Sequence, residues 1–259
     1  MTETVYEKRI QRAHECLDAS SYYAALSNFM SAIEEATSPL ERTRALQMNG
    51  VVFRKLGNLA KALEYGERAL AEAADTTVPA ATSGAARDLA ATLHIIGIVR
   101  EDDRIDTFRR AFELFDMSFK YHKIGKQPPF ADGAAGDDDY YVTCGMRALL
   151  AYDAAHFRVL YSETGITSLK SRREVHSAQN DALTSLEMAD HFLAKSDNRA
   201  WELNNLLKLI QISPVGERAQ LINRAETLIT LYPERNKELW AAISGRRMNR
   251  SLLKLKTRF

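Results

Sequence analysis

The chain has 259 residues, 46% of them hydrophobic and 27% charged, with a formal net charge of +1. That balance fits a globular protein with no global attraction to nucleic acid or to an anionic membrane, and no apolar run reaches the length of a transmembrane helix. The opening MTETVYEKRIQRAHE is charged from Glu3 onward, so no secretory leader is read there, and the expected location is cytoplasmic. Cys16 and Cys144 lie far apart in sequence and read as two free, packed thiols in a reducing compartment.

Only twelve Gly and six Pro accompany abundant Ala, Leu, Glu and Arg, which favours helix throughout. YEKRIQRAHECLDASSYYAALSNFMSAIEEAT predicts a first helix pair, with small or apolar residues at Ala13, Ala25, Phe29 and Ala32. Ser38-Pro39-Leu40-Glu41 then opens a helix with a cap, a proline at the first helical position and a capping-box glutamate. Val52, Phe53 and Leu56 close that helix. Gly57 ends it with a positive φ, Asn58 caps the next, and Leu59, Ala62, Leu63, Ala69 and Leu70 carry the second apolar stripe. Gly50, Ala62 and Ala69 sit where the two helices approach most closely. A third, irregular pair is expected over 83–122, with TTVPAATSG as a longer connection before it and two extra residues in the turn near Glu101 to Arg104.

Residues 43–74 resemble a tetratricopeptide repeat (TPR) through Leu46, Gly50, Phe53, Gly57, Ala62 and Ala69. The likeness is clearest over 6–74 and weaker over 83–122. Two family features are missing: a large side chain at Gly66 and a closing proline, replaced by Ala74. The resemblance implies an all-α solenoid of antiparallel helix pairs, a TPR-like superhelix closed by a C-terminal helix. The chain then reads as TPR-like repeats over 1–122, a loop over 123–138, and degenerate helical repeats with the C-terminal helix over 139–259, together one continuous domain.

Pro128-Pro129 and three glycines within KIGKQPPFADGAAGDD argue for that loop. The acidic run Asp137 to Asp139 does not have the spacing of a calcium loop, and reads as charge at a helix N-terminus. Beyond it, helices are expected over Tyr140 to Glu163, Ser168 to Ala194, from Asp197, from Ser213-Pro214, and from Glu234 to Leu255, with the small-residue signature degraded.

No phosphate-cradling loop, nucleophile elbow or HExxH pair is present, and none of the six histidines has a second His or a Cys three or four residues away. The chain therefore reads as non-enzymatic, with no metal or cofactor. The resemblance puts the first helix of each pair on a concave surface that receives a partner segment. Carried over, the groove lining includes His14, Leu17, Arg44, Gln47, Val51, Arg54, Lys55 and His94. Arg44, Arg54 and Lys55 would make its middle basic, suited to an acidic peptide. The competing reading of those charges is a solvated helix face, and of both histidines, core packing.

The C-terminal segment supplies a second idea. Arg246, Arg247, Arg250, Lys254 and Lys256 accompany Trp240, Ile243, Leu252, Leu253 and Leu255. Such a basic amphipathic helix either caps the helix stack or touches nucleic-acid phosphates.

Overall fold

The computed structural model describes residues 4–100, 102–122, 138–163, 172–213, 216, 218–233, 237–239 and 242. The described residues are helical and turn, with no strand among them. They fall into two compact units, Met1–Ala135 and Gly136–Phe259.

The first unit holds six helices: α1 (Val5–Asp18), α2 (Tyr22–Glu35), α3 (Pro39–Lys55), α4 (Leu59–Ala74), α5 (Pro79–Val99) and α6 (Arg104–Tyr121). Each packs on the next in sequence, and α3 also meets α5. Local chemistry sets the boundaries. Thr4 and Glu7 close a reciprocal capping box on α1, and the Ser38 hydroxyl accepts from the Glu41 amide at 3.2 Å. Glu41 itself reaches past Ser38, accepting from the Thr37 amide at 2.7 Å and the Thr37 hydroxyl at 2.9 Å. The Thr37 amide leads the interactions that hold the Glu41 carboxyl below its ordinary range. Gly57 ends α3 at φ +74°, and Asn58 Oδ1 accepts from the Lys61 amide at 3.1 Å. A side-chain cap of this kind contributes about 1 kcal/mol.

The expected connection TTVPAATSG is largely absorbed into helix. α5 starts at Pro79, which is preset for the first helical position, and alanines follow it. At its far end α5 is closed by a neighbour. Arg104, 7% exposed, donates from Nε to the Gly97 carbonyl at 2.6 Å and from Nη2 to the Ile98 carbonyl at 3.3 Å. Asp103 before it takes the left-handed conformation at φ 57° to make this short return.

Helix pairs cross over glycines. A Cβ on Gly50 would meet the Ala62 carbonyl oxygen and the Gly66 nitrogen at 3.4 Å, so α3 and α4 approach backbone to backbone. Leu89 of α5, fully buried, takes the space over Gly66 that a larger residue there would fill. At Gly97 the Phe108 ring lies where a Cβ would be. The core under these crossings is built from Ala13, Ala25, Phe29, Ala32, Ala45 and Val52 on one side, and from Leu46, Tyr65, Ala69, Ala73 and Ala85 on the other.

The second unit holds α7 (Asp138–Glu163), α8 (Arg172–Leu193), α9 (Arg199–Ile212) and α10 (Arg218–Ile229). α7 begins within the acidic run. A close helix crossing in this unit lies at Gly145, whose missing Cβ is replaced by the Leu193 side chain of α8. Arg224 of α10 clamps Asp190 of α8 at 3.0 and 3.1 Å and Glu202 of α9 at 3.1 Å. Lys208 of α9 pairs with the buried Asp153 of α7. Leu239 and Ala242 are buried with Leu203, Leu206, Ile210, Ala225 and Leu228, so the start of the expected C-terminal helix belongs to this core. Arg246, Arg247, Arg250, Lys254 and Lys256 lie outside the described residues, as does most of the expected loop over 123–138.

Cys16 and Cys144 are both free. Cys144 is 1% exposed, and burial pushes its thiol up to about 12. Among the described residues no helix is long and apolar enough to cross a membrane.

Candidate binding face

An α-helix turns about 100° per residue, which sorts the predicted groove residues of α3 into two sets. Arg44, Met48, Val51 and Lys55 fall within roughly 60° of one another, opposite the buried Leu46 and Asn49 and the half-buried Phe53. Gln47 and Arg54 are rotated toward α5.

That rotation decides the role of Arg54. Its Nη1 donates to the Asp88 carbonyl at 2.8 Å and to the Thr92 hydroxyl at 3.1 Å, while Nη2 lies 3.7 Å from Asp88 Oδ1. Gln47 donates its amide to the other Asp88 carboxylate oxygen. Only 11% of the Arg54 side chain is exposed, and burial lowers its pKa against the opposing pull of Asp88. Arg54 and Gln47 are thus a tie between alternate helices, and they do not form part of an open basic surface. The sequence identified the cation and missed its partner on α5.

Arg44 and Lys55 are different. Both are exposed, and neither forms an ion pair among the described residues. Lys55 Nζ rests 5.8 Å from the centroid of the Tyr22 ring, a residue the sequence reading did not select. Arg44 faces α1, where the Tyr6 hydroxyl donates to the Glu41 carbonyl at 2.9 Å and joins α1 to α3. Burial pushes the Tyr6 phenol up to about 12, with the Arg44 cation acting in the opposite direction. Met48 and Val51 lie half-buried between the two cations.

His14 is half-buried, edge-on to Phe29 at 5.3 Å. Burial lowers its pKa from 6.5, the Arg44 cation lowers it further, and Asp18 opposes both. A histidine held neutral in the folded state, while the unfolded chain binds the proton, destabilises the fold in acid. Its contribution is intact above 6.5 and is lost as pH falls through that value toward the depressed folded one. Arg44→Gln therefore raises the His14 pKa back toward 6.5, as read from its imidazole resonances in an NMR titration. An unmoved titration would separate the two side chains.

Two groove candidates remain, Leu17 and His94. Leu17 packs against the α1–α2 core. His94 is 2% exposed and meets the Phe108 ring edge-on at 6.2 Å, a packing role set by its place beside the Gly97 crossing. The face brought together is His14, Arg44, Met48, Val51 and Lys55, with Tyr22 at its edge.

A concavity of about 280 Å³ lies between α3 and α4, lined by Arg42, Leu46, Arg68, Glu72 and Asp75. Its charges are matched: Arg42 Nη1 sits 2.8 Å from Glu72 Oε1. Among the described residues no group of three or more His, Cys, Asp or Glu could hold a metal ion. No protein-family model and no curated protein matches this chain.

Proposed function

We propose that this protein is a non-enzymatic interaction scaffold or regulator, a TPR-like α-solenoid that receives a segment of a partner protein in a concave groove. A cytoplasmic setting goes with that reading. What supports it is the contrast in how charge is used on the first unit. Arg54, Arg42 and Arg110 are each paired with a carboxylate from another helix, whereas Arg44 and Lys55 flank Met48 and Val51 with none. Unpaired cations beside half-buried apolar side chains are the ingredients of a polar-rimmed contact.

The test is selection of random peptides against the full chain, followed by rebinding to Val51→Glu. Peptides that recognise the groove lose binding by about tenfold or more when a carboxylate is placed at its apolar centre, with helical content unchanged. Selected peptides that bind both proteins equally would refute the groove.

A further inference from the structure

The sequence offers three cations for the middle of the groove, and the structure withdraws one. Arg54 is consumed by Asp88 and Thr92, leaving Arg44 and Lys55 at the two ends of the exposed strip of α3. Eleven residues at 1.5 Å each separate them by about 16 Å along the helix axis. An extended chain advances about 3.3 Å per residue, so that distance corresponds to roughly five residues of a strand-like ligand. Between the cations only Met48 and Val51 offer apolar surface, and both are half-buried. That is room for one apolar side chain, short of the several anchors a docked amphipathic helix needs.

We propose that this face takes an extended acidic peptide segment with two carboxylates about five residues apart and an apolar side chain between them. One carboxylate seats on Arg44, the other on Lys55, and the apolar side chain covers Val51 and Met48. The inference rests on the scaffold reading above and specifies its ligand. A nucleic-acid strand fits less well. Its phosphates recur at short, even spacing, which would set unpaired charges over Met48 and Val51.

Fluorescence anisotropy with labelled synthetic decapeptides of one composition tests this on the full chain at low ionic strength. One peptide places two Glu five residues apart around a central Leu, and the other places them side by side. The spaced peptide binds about tenfold tighter, and Arg44→Glu or Lys55→Glu each removes about tenfold of that affinity. The double variant Arg44→Glu/Lys55→Glu recovers binding to a peptide with Lys in place of both Glu, an outcome that misfolding cannot imitate. Equal affinity for the spaced and adjacent peptides would overturn the spacing, as would indifference to both substitutions. A twelve-residue oligothymidine that binds more tightly than the spaced peptide, with the same dependence on Arg44 and Lys55, would overturn the peptide assignment. Selected peptides that need Val51 but lack the paired acids would sink this inference and leave the scaffold standing. If no selected peptide depends on Val51, the scaffold reading itself falls.

Discussion

Gly97→Leu lowers the stability of the first unit by about 3 kcal/mol, at the upper end of what overpacking costs. The Phe108 ring occupies the volume of the missing Cβ, and Phe108 is itself 5% exposed. The ring has little room to swing clear, because it is buried and His94, itself buried, meets it edge-on. A leucine here must therefore push α6 off α5. The higher helix propensity of leucine returns less than 1 kcal/mol of this loss. Urea unfolding followed by circular dichroism measures the difference. A variant that unfolds at the parent's midpoint would show that the α5–α6 crossing is not closed by this contact.

Helices and their ends were legible wherever a short-range device sets them. Ser38-Pro39, Gly57 and Asn58 each act within four residues, so reading the sequence located α3 and α4 closely. Legibility failed where the partner is distant. Nothing adjacent to Arg54 announces Asp88, 34 residues further on, so its sequence neighbours alone leave this cation looking like groove lining. The same holds for His94, whose neighbour Phe108 returns over Gly97 from the next helix. At Gly145 the signal was present as a single glycine, but its meaning depends on Leu193, which lies on the next helix. The missing large side chain at Gly66 is made good by Leu89, from a helix outside that pair.

Asp88→Ala produces the second large effect, a loss of about 3 kcal/mol. Asp88 balances a guanidinium that is almost wholly enclosed and also receives the Gln47 amide. Removing the carboxylate leaves the Arg54 charge beside the Asp88 carbonyl and the Thr92 hydroxyl, and it also takes a 4.0 Å ion-pair partner from the neighbouring Arg87. Because the cost comes chiefly from the stranded charge, replacing Arg54 as well should restore most of the stability. Asp88→Ala/Arg54→Met is therefore more stable than Asp88→Ala alone, and the difference gives the coupling of the pair. Thermal melts of the parent, both single variants and the double variant complete the cycle. Additive losses would mean that the two side chains act independently.

Arg104 has a consequence for how the first unit opens. The carbonyls that end a helix are ordinarily satisfied by water or by the chain that follows immediately, so terminal turns fray on their own. Here the Gly97 and Ile98 carbonyls are held by a side chain from the first turn of α6. The last turn of α5 cannot release its hydrogen bonds without freeing Arg104, and Arg104 cannot leave without uncovering the buried Gly97 carbonyl and the half-buried one of Ile98. The two turns therefore exchange their amide protons as one cooperative element, a small foldon spanning the return between the helices.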